Sequence, residues 1–465
     1  MELQLIGVTN GTPPYSPSDL VTATARSCYS PTPILPTQVS NWPRKKELLK
    51  GLFEGGHHTT FIHPHFTFLI KGVSRLLIWR LLHSHPFYNS EQVSQRYAPV
   101  SPESFYYPKG GNRKRWEEFY RRLHRGYLQL KELLQPLILK MLPDYRRNPR
   151  EAEKRAQEFA RYLLPLGTTA HLYHTISLVT ILRYLGGVKG LPEAREEGRE
   201  FAQLLKRQLL EMDPELGPIV EEAEGAPVEF PTLQWQEWKR KEWIGSNRGR
   251  LGVDPSWVQL LHLHYFPFKV GVNRAEVLRF NTLYPDWGEV GYASFYLKLS
   301  LSADAQNQRH RRTAGVRPRL EELYSGPDYY TPPVLADLPE AYRLYQQLVE
   351  SAYDFFEEER DKLGFGEASY ALLNCHLIEI VEGGDLGSYH HKLQMRLCLN
   401  AQEEIFWLAK HQMVELVRWE VPDRLFGAPC QVRRWLGVKP YCPEGERYCG
   451  VPVWRLSPEE IHREI

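Results

Sequence analysis

His57-His-Thr-Thr-Phe-Ile-His-Pro-His-Phe-Thr-Phe-Leu-Ile-Lys-Gly-Val-Ser-Arg75, followed after a gap by Ser94-Gln-Arg-Tyr97, is the stretch that decides how the rest of the chain is read. Phe66-Thr-Phe-Leu-Ile70 reads as a short buried strand, and the apolar run Val73–Leu82 as a packed helix. The later loop carries chemistry. Arg96 can fork onto a phosphate, while Ser94 and nearby backbone N–H groups complete an anion cradle. A Ser-x-Arg pair alone is common and draws its weight from the segment upstream.

Working outward, Leu3–Val8 alternates apolar and polar residues, as a strand does, and Ser18 is positioned to cap an Ala/Thr-rich helix running toward Arg26. Trp116–Met141 places Phe119, Leu123, Tyr127, Leu130, Leu134 and Leu137 at helical spacing. Its basic residues fall on the other face, the pattern of a solvated helix rather than a nucleic-acid patch. Further helices are expected at Arg150–Leu164, His174–Leu185 and Pro192–Met212, before an acidic linker beginning near Glu221. The order then begins again: strands at Val258–Leu263 and Ala293–Leu301, helices at Asn273–Leu283, Leu338–Leu363, Glu367–Val381, Gly387–Leu397 and Ala401–Val417. The expectation is an α+β chain of two tandem copies, each a small sheet packed with long helices. Copy 1 spans 1–225, a linker 226–250, copy 2 251–425, and a Cys-containing tail 426–465.

Bulk properties agree. A length of 465 residues suits two domains, 42% hydrophobic residues supply ordinary cores, and a net charge of +2 gives no global basic field. Six cysteines do not make a disulfide scaffold in so long a chain. Cys430, Cys442 and Cys449 lack the close C-x2-C pair and fourth ligand of structural zinc, so no metal is expected. No membrane span or signal peptide is read from the sequence, and a cytoplasmic location is expected.

Together with Ala25-Arg-Ser-Cys-Tyr29, the opening stretch resembles the flavin-dependent thymidylate synthases, the ThyX family, in which His-x-Ser/Thr leads into Phe-Thr-Phe, Gly-Val-Ser-Arg, Gln-x-x-Arg-His-Arg and Ser-x-Arg-Tyr. The resemblance implies a homotetrameric enzyme that methylates dUMP to dTMP, with methylenetetrahydrofolate as carbon donor and FAD, reduced by NADPH, as hydride donor. Each copy departs from the pattern in its own way. Copy 1 has Arg80-Leu-Leu-His83-Ser-His85 in place of Gln-x-x-Arg-His-Arg, yet keeps the loop and Ala160-Arg161-x-x-x-Pro165. Copy 2 reproduces Gln306-Asn-Gln-Arg309-His310-Arg311 but has no Ser-x-Arg-Tyr loop, and Ser369 replaces the later arginine. It also keeps His391-x-x-x-x-Arg396 and Ala401-Gln-Glu-Glu-Ile405. The family's Asn-x-Arg flavin motif is lost twice, at Ser177-Leu-Val179 and Asp385-Leu-Gly387, and Lys189 falls where copy 1 would carry its counterpart of Arg396.

What survives in one copy is lost in the other, which implies one composite site. By resemblance, Gln92, Ser94, Gln95, Arg96, Arg161, Gln306, Arg309 and Arg396 would hold dUMP, with Arg396 and Ser94 in catalytic roles. Thr59, Arg309, His310, Arg311 and His391 would hold FAD. Guanidinium groups suit a pyrophosphate and the charge of a reduced flavin, and a fixed cation beside the uracil carbonyl favours an ionised ring. A homodimer would then form a pseudo-tetramer. Two alternatives stay open: a related flavin enzyme making another C5 pyrimidine modification, or a non-catalytic nucleotide-binding or interaction protein on the same scaffold. Nucleic-acid binding is the weakest reading, because acidic residues interleave the basic runs.

Overall fold

The computed structural model describes residues 1–142, 147–225, 247–265, 291–419, 421 and 426–463. The expected helix at Asn273–Leu283 lies outside the described residues, as does most of the linker.

Two four-stranded sheets repeat one topology. The first contains β1 (Glu2–Val8), β2 (His65–Ser74), β3 (Asn89–Gln92) and β4 (Thr169–Ser177), in the order β1-β2-β4-β3. The second contains β5 (Val258–His264), β6 (Tyr292–Ser300), β7 (Ala314–Val316) and β8 (Leu377–Asp385), in the order β5-β6-β8-β7. All neighbours are antiparallel. Within β2, Phe66, Phe68 and Ile70 are buried while the intervening residues reach outward, so one face of the sheet packs on helices. The architecture is α+β, with each sheet packed by helices.

At the end of its central strand each sheet carries the same device. Ser74 Oγ accepts from Leu77 N and donates to Glu197 Oε2 at 2.5 Å, while Ser74 N donates to Glu197 Oε1 at 2.7 Å. In the second sheet Ser300 holds Glu404 with the same two distances. Each carboxylate also accepts from a tyrosine of the other copy, Tyr370 to Glu197 at 2.9 Å and Tyr162 to Glu404 at 2.7 Å. Between these tyrosines the chains pair directly, Leu166 N to Leu372 O at 2.8 Å and Asn374 N to Leu164 O at 2.9 Å. The long helices Arg113–Met141 and Pro339–Leu363 extend the contact. Phe119 stacks on Phe355 at 4.0 Å, Trp116 donates to Glu359 at 2.8 Å, and Gly126 admits Leu348 where a Cβ would come within 2.2 Å of its methyl.

Several sequence expectations are corrected. Ser16, not Ser18, caps the first helix, in a capping box with Asp19, and Ser18 instead bonds Asp213. The expected helix Val73–Leu82 starts only at Arg75, because β2 continues to Ser74. The expected helices at His174–Leu185 and Glu367–Val381 each contain the end or the bulk of a central strand, β4 and β8. The buried start of β8 reads alike for a strand and a helix, while the end of β4 runs directly into the apolar helix Leu178–Gly187.

Candidate functional site

The cleft between the copies gathers residues far apart in sequence. It encloses about 490 Å³ and is lined from copy 1 by Gln92, Ser94, Gln95, Arg96 and Arg161, and from copy 2 by Gln306, Arg309 and Arg396. All eight residues expected at a nucleotide therefore border one space. The loop Gln92–Tyr97 leaves the edge strand β3 and is pinned by Gln157, whose side chain donates to Gln95 O and Ala98 O, both at 3.0 Å. Arg161 follows the helix Pro149–Ala160; Gln306 lies in the last turn of the helix Leu301–Asn307 that Ser300 caps, and Arg309 just beyond it. Arg396 ends the helix Leu386–Arg396.

Contacts cross the cleft. Arg161 donates to Gln402 Oε1 at 2.5 Å, and Gln306 donates to the same oxygen. Arg396 donates from Nε to His310 Nε2 at 2.8 Å and from its terminal nitrogen to Gln306 O at 2.9 Å. Burial, reinforced by Arg396, holds the His310 pKa well below its usual value, so its Nε2 is free to accept that bond. Burial and then Arg309 and Arg96 push the Arg396 pKa down to about 9. Burial, with Arg161 and Arg309, takes Arg75 to about 9 as well. Cations that depress one another across a cleft define a place where an anion is stabilised. Glu158 answers one of them: it receives Arg96 Nε at 2.6 Å and, against its own burial, is held well below the usual carboxylate range by Arg96 and Arg463.

Polar atoms also await partners. Gln92 Oε1, Gln95 Nε2, Arg75 Nε and Arg161 Nε are buried with no hydrogen-bond partner among the described residues, and all four side chains line the cleft. Unmet buried groups are costly, so their convergence marks a binding space. Arg309 is exposed, and its guanidinium makes no hydrogen bond among the described residues.

The residues expected at a flavin divide between two spaces. Arg309 faces the cleft, and His310 lies behind it with its ring 5.9 Å from that of His391. Arg311 borders a separate, largely apolar cavity of about 690 Å³, where it donates to Tyr88 O. Thr59 is exposed on a turn whose neighbours His58 and Ile62 line that second cavity. Sequence reasoning missed Arg75, Gln402 and Glu158 as site residues, although the first two stood inside quoted motifs. It also missed the tail, whose Glu444 and Arg447 form one wall of the cleft.

On the other side of the pairing, the equivalent residues bind one another. Arg75 N bonds Thr168 O and Leu301 N bonds His376 O, which aligns the copies and sets Arg80 at the position of Gln306. Arg80 ion-pairs with Glu193 at 2.5 Å and donates to Arg317 O and Pro318 O, at 3.1 and 2.9 Å. Trp79 and Arg317 both close on Asp304, at 2.7 and 2.6 Å. Among the described residues these side chains are committed to one another. Lys189, expected at the position of an active-site arginine, instead donates to Glu224 O.

Beside the cleft, Glu403 accepts from Tyr330, and burial pushes its carboxyl up to about 7. Because this lies above its ordinary 4.5, the stabilisation linked to the protonated form is complete below about 4.5 and fades as pH rises through 7. Glu403→Gln should therefore gain thermal stability relative to the native chain between pH 5 and 8. Parallel melting curves across that range would show the offset; a constant difference would argue against the linkage.

Comparison with known proteins follows these two sheets. The family model for thymidylate synthase complementing protein matches residues 12–215 and 287–423. Flavin-dependent thymidylate synthase of Clostridium tetani is 26% identical over 175 residues, covering 36% of this chain and 68% of its own length. The enzyme of Nitratidesulfovibrio vulgaris is 26% identical over 215 residues, covering 43% and 80%. That of a Mycobacterium species (strain JLS) is 27% identical over 227 residues, covering 46% and 86%. Among solved structures, the UMP/dUMP methylase PolB of Streptomyces cacaoi bound with 5-Br dUMP aligns with a TM-score of 0.33 at 18% identity, over 49% of this chain and 95% of its own. ThyX of Helicobacter pylori complexed with FAD and dUMP aligns with a TM-score of 0.33 at 18% identity, over 48% and 99%. Matched along two separate stretches that follow its two sheets, the chain belongs to the thymidylate synthase complementing protein family, that of the flavin-dependent thymidylate synthases.

Proposed function

We propose that this chain is a flavin-dependent thymidylate synthase that converts dUMP to dTMP at one composite site per pair of unlike copies. Convergence of Gln92, Ser94, Gln95, Arg96 and Arg161 with Gln306, Arg309 and Arg396 on one cleft is the observation that carries this reading. Arg96 and Ser94 receive the phosphate. Gln306, Gln95 and Arg161 orient sugar and base, and Arg396 stands by the uracil carbonyl, where a fixed cation stabilises the negative charge developing on the ring. Its bonds to neutral His310 and Gln306 O hold that guanidinium in place without neutralising it.

The residues present fit a flavin. Arg309 offers the cleft an uncommitted guanidinium, and Arg311, two residues on, borders the apolar cavity beside the Thr59 turn. When bound, FAD supplies the hydride, with NADPH as its reductant and methylenetetrahydrofolate as carbon donor. Arg309, His310, Arg311, His391 and Thr59 would hold it, and a second copy of the chain would complete a pseudo-tetramer.

Purified protein is expected to be yellow, to bleach with NADPH, and to release the C5 proton of dUMP in the presence of the folate, with dTMP identified by mass. A colourless protein that takes up no FAD would instead support the nucleotide-binding scaffold. Asp385, where the family has Asn-x-Arg, is occupied in capping Ser388 and pairing with Arg312 at 3.0 Å, which favours a modified flavin contact. A C5 product other than dTMP would support that second reading. Titration calorimetry should give one dUMP per chain; two would defeat the composite site.

A further inference from the structure

The C-terminal segment, residues 426–463, reaches the phosphate-binding end of the cleft from two directions. Arg463 is 3% exposed and donates to Glu158 Oε1 at 2.7 Å, while Arg96 donates to Glu158 Oε2 at 2.6 Å. One carboxylate thus bridges a guanidinium of the tail and a guanidinium of the nucleotide loop. From the other side, Arg96 donates to Asn400 O at 2.8 Å, and the Asn400 side chain donates to Arg447 O at 2.7 Å. Arg447 and Glu444 then continue the cleft wall.

Glu158 is 2% exposed, and its charge has to be balanced within the protein. Without Arg463, Arg96 would be the one guanidinium hydrogen-bonded to Glu158 among the described residues, with Arg155 and Arg161 acting through charge alone; Arg96 would then be committed to Glu158, and a phosphate approaching it would meet a buried like charge. A second guanidinium on the far oxygen relieves both effects. It balances Glu158 and leaves the positive field of Arg96 available to an incoming anion.

We propose that Arg463 is a positioning residue for phosphate recognition: by sharing Glu158 it keeps Arg96 aimed at, and electrostatically available to, the 5′-phosphate of the nucleotide. The inference rests on the proposed nucleotide reading of the cleft. Arg463 touches no substrate. It acts through Glu158 on the phosphate alone, not on the base.

The test compares dUMP with deoxyuridine, which lacks the phosphate, by calorimetry on the full chain. Arg463→Ala should weaken dUMP about tenfold, the scale of a coupling between two linked sites, and leave deoxyuridine unchanged. Arg463→Lys, which keeps a cation on Glu158, should recover most of the loss. Equal weakening of both ligands, or an Arg463→Ala protein that binds dUMP normally, would overturn the proposal. If Arg463→Ala does not fold, Arg463→Gln, which keeps a long hydrogen-bonding side chain but no charge, carries the test: it should weaken dUMP and spare deoxyuridine, and normal dUMP affinity or equal loss of both ligands would reject the role. A native protein that binds neither ligand would defeat the nucleotide reading itself, a result distinct from a variant that binds both normally.

Discussion

Arg309→Ala and Arg96→Ala, made separately, should each weaken dUMP binding by about 100-fold, the usual scale for losing one charge-assisted partner in a partly desolvated site. The two arginines come from different copies, 213 positions apart by subtraction of their numbers, yet border one cleft. With two independent sites, either change would leave one site, half of the stoichiometry, intact. With a single composite site, either change alone weakens all of the binding. The Arg309 guanidinium makes no hydrogen bond among the described residues, so its removal should leave the melting temperature near that of the native chain and isolate the effect on binding. Arg96 is tied to Glu158, and its loss should lower stability somewhat as well as abolish affinity. Calorimetry and melting curves on both variants decide the matter. Normal dUMP affinity in either one sinks the composite site.

Glu404→Ala should destabilise the chain by about 3 kcal/mol or more, because it strands three buried donors at once. Ser300 N, Ser300 Oγ and Tyr162 OH all point at that carboxylate. Tyr162 belongs to the other copy and sits next to Arg161, so the damage should spread to the cleft. Glu197→Ala strands the matching donors of Ser74 and Tyr370 and should cost a similar amount, but it lies on the side of Arg80 and should leave residual nucleotide affinity closer to normal. Chemical denaturation of both variants with dUMP binding beside it tests this. Equal loss of binding in the two would show that the two sides of the pairing are not functionally distinct.

The sequence by itself determined the repeated order of elements, the family resemblance and the complementary survival of motifs. Alternation in Leu3–Val8 and the spacing of Phe119, Leu123 and Tyr127 are local signals, written in residues that are neighbours in sequence. Gln306–Arg311 and Ser94–Tyr97 were legible for the same reason: a tight constellation of functional groups on one turn leaves a contiguous signature. Strand β8 was not legible because its first four residues are all buried and lack the alternation that exposes a half-buried strand, and the end of β4, which does alternate, runs straight into the apolar helix Leu178–Gly187.

Only the tertiary structure decided on which side of the pairing the equivalent residues bind one another. Arg80, Glu193 and Asp304 are ordinary charges in sequence, and nothing local says that Arg80 will turn inward to Glu193 or that Arg317 will close on Asp304. The tail is the same case: Arg463 follows Glu158 by 305 positions, and its role exists only because folding brings both within 2.7 Å. Local propensity shapes each copy. A site made between copies depends on burial and on charge pairs that close across long loops, quantities with no local trace in the chain.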